Sequence, residues 1–296
     1  MAHDRLPVTV LSGFLGAGKT TLPVAATFAF ARDDGATLGD LARLDTMVTV
    51  IDAANFLPEL ASGDELVERG LDQYEDDERT VSDLLMDQIE FADVIVLNKL
   101  DLVDEATADR LRATLTRLDP VARIVPAVHG RVTVKDVFGT RLFDLERAQQ
   151  APGWVMELNV DHVPETEEYG ISSTVLRSEL PFHPRRLWRF VTEGMDSGAY
   201  GQVLRSKGFF TLASRPHVTG LWFQAGSVAR FEPSAARDTD SPAGQELVFI
   251  GTHLHAEALR AALTDCLLAD DPFPAWDTYG IDDTCDHESQ ELVARA

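Results

Sequence analysis

Three apolar, β-branched runs mark the N-terminal part of the chain, at residues 8–11, 47–52 and 94–98. Runs that are apolar throughout are typical of strands buried on both faces. Residues 80–89, between the second and third runs, carry apolar side chains at helical spacing. Strands that alternate with helices in this way predict an α/β domain with a mostly parallel sheet covered on both faces.

A different pattern begins near residue 170. We predict a strand at 171–177, a helix at 184–192, strands at 203–212, 220–231 and 246–250, and a last helix at 256–268. The order strand, helix, three strands, helix indicates a smaller α+β domain with an antiparallel sheet. The predicted organisation is a domain at 1–150, a linker at 151–168, a second domain at 169–268 and a loosely ordered acidic tail at 269–296.

Charge and composition exclude several classes of partner. The 296 residues carry a formal net charge of −23, and no run of Lys or Arg offsets it. Such a charge repels nucleic acid and anionic lipid, so we expect neither as a partner. No stretch approaches the ~20 apolar residues of a bilayer span. The N-terminus also has no basic region followed by a signal-like apolar core, so we expect a cytoplasmic location. Cys266 and Cys285 form no CxxC pair, which favours reduced thiols and no disulfide framework.

A phosphate-binding motif directly follows the first predicted strand. Residues 13–20 read GFLGAGKT and match the pattern G-x-x-x-x-G-K-[ST] without a mismatch. Glycines let successive backbone N–H groups surround a phosphate, Lys19 supplies a charge for the outer phosphates, and the Thr20 hydroxyl is a ligand for Mg²⁺. Lys19 and Thr20 are the predicted catalytic residues. The predicted contacts of this loop are Gly13, Gly16, Ala17, Gly18, Lys19, Thr20 and Thr21.

A second motif, NKLD, ends the third predicted strand. The Asp101 carboxylate can accept two hydrogen bonds from the N1–H and N2–H₂ edge of guanine, and adenine offers no matching donor pair. We predict that the Lys99 stem covers the base and that Asn98 ties this loop to the phosphate loop. His129, in the later run ARIVPAVHG, has two open interpretations, a contact to the base and an ordinary loop histidine.

These motifs, with several phrases of the second half, resemble the CobW-like GTPases. The phrases are LPVTVLSGFLGAGKTTL, TMVTVIDAANF, NKLD, VLRSKGFF, LWFQAGSVAR and QELVFIG, and the similarity runs from Leu6 to about Trp276. The family also includes nitrile-hydratase activators and zinc metallochaperones. The resemblance implies a P-loop NTPase-type sheet, GTP or GDP with Mg²⁺ as ligands, and GTP-dependent delivery of zinc or cobalt to a client metalloprotein.

One departure from the family pattern lies just after the phosphate loop. In the family a switch segment, a CxCC metal motif and a strand ending in a Mg²⁺-supporting carboxylate follow this loop, whereas here Leu22 runs directly into PVAATF. Roughly 25 residues separate Thr21 from Met47, fewer than the ~30 of one crossover unit. We therefore expect a truncated sheet, weakened nucleotide binding, slow or undetectable hydrolysis, and impaired metal transfer.

Other candidate metal ligands have structural alternatives. Asp52 ends an apolar strand, as a Mg²⁺ carboxylate does, but the corresponding family strand is a different one, and a strand-terminal turn residue is the favoured interpretation. A possible zinc cluster in the acidic tail comprises Asp282, Asp283, Cys285 and His287, for which a disordered tail is favoured. His253 and His255 alternate along an extended stretch and are expected to face solvent.

Three functions compete at this point. The first is a GTP-dependent metallochaperone. The second is a non-catalytic interaction module that binds a client or sibling protein through its C-terminal domain. The third, an ATP-using P-loop kinase, is disfavoured by NKLD.

Overall fold

The computed structural model describes residues 5–13, 37–62, 64–66, 68–69, 79–144, 170–236, 244–268 and 292–295. The chain divides into two compact units, Met1–Met156 and Glu157–Ala296. Among the described residues, the first unit contains a four-stranded sheet and the second a six-stranded sheet. None of the helices in these ranges is both long and apolar enough to cross a bilayer.

The first unit alternates strands with helices. Its elements are β1 (Leu6–Gly13), α1 (Leu38–Leu41), β2 (Ala42–Asp52), α2 (Phe56–Ala61), α3 (Val81–Glu90), β3 (Val94–Asn98), a 3₁₀ turn (Leu100–Leu102), α4 (Glu105–Leu118), β4 (Arg123–Pro126) and α5 (Val134–Val137). The three predicted strands are confirmed, and the first two are longer than predicted.

The four strands of this sheet are all parallel, in the order β1-β2-β3-β4. Gly13 at the end of β1 pairs with Val50, and Asp52 at the end of β2 pairs with Asn98. Because parallel strands end at the same edge, the carboxyl ends of β1, β2, β3 and β4 lie at one edge of the sheet. The predicted parallel α/β architecture is confirmed.

Strand β3 and helix α3 supply much of the core of this unit. Val94, Ile95 and Leu97 of β3 are fully buried. Helix α3 begins with a capping box, in which Thr80 Oγ1 accepts from the Asp83 N–H and the Asp83 carboxylate accepts from the Thr80 N–H. The predicted helix at 80–89 is thus confirmed, with Thr80 as its cap.

Strand β1 is much more exposed than β3. Leu6 and Leu11 are 67% and 70% exposed, although the run is apolar throughout. In the described sheet β1 is the end strand, with β2 as its paired neighbour. The prediction that every strand of the sheet is covered on both faces is wrong for β1.

The second unit is built on an antiparallel sheet. Its elements are β5 (Ile171–Ser178), α6 (Pro184–Arg189), a π-helical turn (Phe190–Gly194), a 3₁₀ turn (Met195–Ser197), β6 (Gln202–Phe210), β7 (Val218–Ala225), β8 (Val228–Ala236), β9 (Gln245–Thr252), α7 (Ala256–Asp265) and β10 (Leu292–Arg295). The strand order is β10-β8-β7-β6-β9-β5. The predicted α+β class of this unit is confirmed.

The predicted single strand at 220–231 is wrong, because the chain reverses inside it. Ala225 ends β7 and pairs with Val228, the first residue of β8. Gly226 between them has φ 57°, a conformation that glycine adopts without strain and that two-residue hairpin turns require. Apolar residues continue on both sides of this Gly-Ser turn, so the sequence pattern does not indicate it. Four strands, rather than the predicted three, therefore lie between α6 and α7.

Two further differences concern the ends of elements in this unit. The helix predicted at 184–192 is α6 followed by the π-helical turn, and His183 caps it by accepting from the Arg186 N–H. Within the predicted loosely ordered tail, Leu292–Arg295 forms β10, antiparallel to β8. For those four residues the tail prediction is wrong, because they pair with β8 as the end strand of the sheet.

Aromatic residues hold the core of the second unit together. Trp222 is fully buried and meets Phe231 edge to face, with ring centroids 4.9 Å apart. Its indole N–H donates to Ser206 Oγ at 2.8 Å, which satisfies the one polar atom of the side chain.

Cys266 is a buried free thiol, and burial raises its pKa to about 11. That thiol is therefore protonated at neutral pH.

Candidate nucleotide site

The NKLD loop leaves β3 through a left-handed residue. Lys99 has φ 61° and ψ 32°, and the 3₁₀ turn Leu100–Leu102 begins directly after it. The Ala53 N–H donates to the Asn98 carbonyl at 2.9 Å, which fastens the end of β3 to the segment after β2. The loop therefore starts from a fixed backbone position at the carboxyl edge.

Asn98 connects this loop to the segment after β4. Its Oδ1 accepts from the Gly130 N–H at 2.9 Å. The predicted tie from Asn98 to the phosphate loop is not tested, because residues 14–20 lie outside the described ranges. The observed hydrogen bond brings the run that contains His129 to the NKLD loop.

Asp101 and His129 face each other across these two loops. Asp101 Oδ2 and His129 Nε2 are 4.0 Å apart, and the His129 side chain is 72% exposed. This distance is too long for a hydrogen bond, so the imidazole does not donate to the carboxylate. The structure thus brings the predicted base reader beside His129, one of whose two interpretations is a contact to the base.

Asp52 is engaged by three donors. Its Oδ1 accepts from the Ala54 N–H, and its Oδ2 accepts from Asn55 Nδ2, both at 2.9 Å. Lys99 Nζ reaches the same Oδ2 at 2.6 Å. Burial raises the pKa of Asp52, but these hydrogen bonds outweigh it and hold the pKa below its ordinary value. The carboxylate therefore closes a turn and binds a lysine.

A hydrogen-bonded ring fixes the start of the phosphate motif. Gln88 Nε2 donates to the Gly13 carbonyl at 3.3 Å, and Thr49 Oγ1 donates to the Gln88 carbonyl at 2.7 Å. Because the Thr49 proton is used there, its oxygen accepts from Ser12 Oγ, 3.0 Å away. Sequence reasoning missed all three side chains. The available signal was Gln88, a polar residue among the apolar positions of α3.

The remaining predicted phosphate contacts lie outside the described residues, and their roles stay predictions. They are Gly16, Ala17, Gly18, Lys19, Thr20 and Thr21. The possible zinc ligands Asp282, Asp283, Cys285 and His287 also lie outside these ranges.

Within the described ranges, no group of three or more His, Cys, Asp or Glu side chains is arranged to hold a metal ion. His253 and His255 are both exposed. His255 Nδ1 lies 2.8 Å from the Ala199 carbonyl.

A parallel sheet whose carboxyl edge carries the start of a phosphate loop and an NKLD loop defines an α/β nucleotide-binding protein, joined here to an antiparallel α+β domain. Residues 22–126 match the CobW/HypB/UreG nucleotide-binding domain, and residues 171–267 match the cobalamin synthesis protein cobW C-terminal domain. The chain belongs to the CobW family.

Several curated proteins resemble the chain along much of its length. It is 38% identical over 274 residues to zinc-regulated GTPase metalloprotein activator 1 of Dictyostelium discoideum, covering 84% of this chain and 57% of that protein. It is 30% identical over 182 residues to the zinc chaperone YjiA of Escherichia coli (strain K12), covering 59% of this chain and 52% of YjiA. The chain thus spans about half the length of these relatives.

A solved structure of Zn(II)-bound YjiA GTPase from E. coli is 22% identical to the chain, with a TM-score of 0.38. The match covers 83% of this chain and 67% of that one.

Proposed function

We propose that the chain binds GTP and GDP at the carboxyl edge of its parallel sheet and takes part in delivering a metal ion to a client metalloprotein. The observation that carries the proposal is the approach of Asp101 to His129 beside β3, on the edge where β1 ends at Gly13. Two sequence-distant loops converge there, and one offers a carboxylate that is not hydrogen-bonded to the imidazole opposite. Guanine needs such an acceptor.

The proposed roles divide between the two loops. Asp101 accepts from the Watson–Crick edge of guanine, Lys99 covers the ring, and His129 forms the opposite wall. The backbone amides after Gly13 surround the phosphates, with Lys19 as the neutralising charge. Turnover, where it occurs, depends on the stabilisation of phosphoryl charge by Lys19.

For Mg²⁺ the proposed ligand is Thr20 rather than Asp52. The Asp52 carboxylate already accepts hydrogen bonds from Ala54, Asn55 and Lys99, and a bound cation would have to displace Lys99. The donor set at Asp52 therefore fits an ion pair better than a metal site. When bound, Mg²⁺ would neutralise phosphate charge next to Thr20.

Zinc or cobalt is the proposed cargo, because the relatives named above are a zinc chaperone and a zinc-regulated activator. Impaired hydrolysis and transfer are part of the same proposal. Their support is the short segment between β1 and β2, together with the exposure of Leu6 and Leu11 on β1. The proposed location is the cytoplasm.

Calorimetric titration with GDP, GTP and ADP tests the proposal. We expect GDP and GTP to bind and ADP to bind at least ~10-fold more weakly, since adenine lacks the donors that Asp101 requires. Equal affinity for ADP would contradict the guanine assignment. Failure of all three nucleotides to bind would favour the interaction-module alternative, which the separate aromatic core of the second unit supports.

A further inference from the structure

The ion pair between Asp52 and Lys99 joins two strand ends of the parallel sheet. Asp52 is the last residue of β2 and pairs in register with Asn98, the residue before Lys99. Lys99 Nζ lies 2.6 Å from Asp52 Oδ2, and the two side chains are 46% and 24% exposed. The less exposed partner is therefore the carboxylate, and the lysine reaches across to it.

Asp52 has a fixed position independent of Lys99. The Ala54 N–H and Asn55 Nδ2 donate to separate oxygens of its carboxylate, which orients the group within its own turn. A side chain held by its local backbone is a firm anchor, because little further conformational freedom is lost when a partner binds.

Lys99 lacks such local support. Its backbone is left-handed at φ 61°, which L-residues other than Asn and Asp rarely adopt. A flexible four-carbon side chain at an exposed loop start would otherwise sample many rotamers. The contact with Asp52 holds the far end of that side chain, so its stem lies along the carboxyl edge.

We propose that Asp52 is a positioning residue for the base pocket, which holds the Lys99 stem as one wall against the purine ring. This inference rests on the proposed nucleotide site and adds to it a residue on a third strand end. Asp52 contacts neither phosphate nor cation in this account. It acts through Lys99 alone.

A double-mutant cycle tests the proposal. GDP affinity is measured by calorimetry for the wild type, Asp52→Asn, Lys99→Asn and the double variant, each in Mg²⁺ and in EDTA. Asn at 52 retains the acceptor for the Ala54 N–H and removes the charge, and Asn at 99 tolerates the left-handed backbone. We expect Asp52→Asn to weaken GDP binding about fivefold. We also expect the double variant to bind no more weakly than Lys99→Asn.

The base supplies a second readout, which separates a wall against the ring face from a contact to the base edge. Inosine diphosphate (IDP) lacks the exocyclic amino group of GDP, and a wall against the ring face does not contact that group. Asp52→Asn should therefore weaken GDP and IDP binding by the same factor. Asp109→Asn is the matched control, because it breaks an ion pair to Arg112 that lies within α4 and joins no strand ends. That control should leave GDP affinity unchanged.

Three results would overturn the inference while leaving GDP binding by the wild type intact: full affinity in Asp52→Asn, additive losses in the double variant, or a loss seen only with Mg²⁺. Absence of GDP binding by the wild type would overturn the proposed function and this inference together. If Asp52→Asn does not fold, Lys99→Met replaces it, since it keeps most of the stem and loses the charge. An unchanged GDP affinity in Lys99→Met would likewise contradict the proposal.

Discussion

The two flanks of the parallel sheet differ in how completely they are built. On the base-reading flank, β3 is fully buried at Val94, Ile95 and Leu97, and Asn98 is hydrogen-bonded to the loop after β4. On the phosphate flank, β1 exposes Leu6 and Leu11. An apolar strand at the end of a sheet gains less from burial than one between two neighbours.

This difference bears on the proposed function, which gives the two flanks separate tasks. Reading a base needs a few fixed acceptors, a role that the proposed function assigns to the described loops around Asp101. Hydrolysis needs a positioned water and charge stabilisation near the phosphates, and the proposed impairment lies there, in the segment after β1. In the proposed function, the difference between the flanks accompanies nucleotide binding with slow turnover.

The largest expected effect is a loss of stability, tested by the same leucine-to-alanine substitution on each flank. Leu97→Ala should lower the free energy of unfolding by about 2–5 kcal/mol, because it empties a fully buried site. Leu11→Ala, at a site that is 70% exposed, should change it by no more than ~0.5 kcal/mol. Urea unfolding of both variants measures the difference. Equal losses would mean that β1 is as well packed as β3.

A smaller effect is expected at the start of the phosphate motif. Thr49→Val removes the hydroxyl that bonds Ser12 and the Gln88 carbonyl, and should lower the free energy of unfolding by about 1–2 kcal/mol. Because the ring holds the Gly13 carbonyl through Gln88, GDP affinity should fall as well.

The control for that variant is Thr114→Val. Thr114 is also fully buried, and its hydroxyl bonds the Arg110 carbonyl within α4. It should leave GDP affinity unchanged. A loss of affinity of the same size in both variants would show that the ring around Gln88 has no special connection to the phosphate loop.

The smallest effect is a pH dependence at Asp52. Its pKa in the folded chain lies below the ordinary value of 3.8. Its contribution to stability is therefore complete above that value and is lost as the pH falls through the lower, folded pKa. The stability difference between wild type and Asp52→Asn, measured in urea, should be present at about pH 6 and shrink as the pH falls below 3.8. A stability difference that grew on acidification would contradict the lowered pKa of Asp52.

Sequence patterns predicted the parts of the fold that depend on local periodicity. The buried run at β3 and the capped helix α3 are examples, because apolar spacing and the Thr80–Asp83 cap act over a few residues. The hairpin at Gly226 was missed, since a two-residue turn leaves the apolar pattern almost uninterrupted. Strand β10 was missed because four residues in an acidic tail carry too weak a signal.

At the candidate site, motifs predicted residue identities but not their partners. NKLD pointed to Asn98, Lys99 and Asp101, yet the Lys99–Asp52 ion pair depends on two strand ends far apart in sequence. The Gln88–Thr49 ring arises in the same way, from the packing of α3 beside β1 and β2. Such contacts are tertiary and have no local spacing to reveal them.

The specificity of Asp101 tests the central claim most directly. In Asp101→Asn, calorimetry should show GDP affinity reduced by about 10- to 100-fold, because a charged acceptor of two hydrogen bonds is lost. Xanthosine diphosphate, whose ring carries an oxygen where guanine carries an amino group, should bind this variant better than it binds the wild type. Unchanged GDP affinity together with no gain for xanthosine diphosphate would contradict the assignment of Asp101 as the base reader.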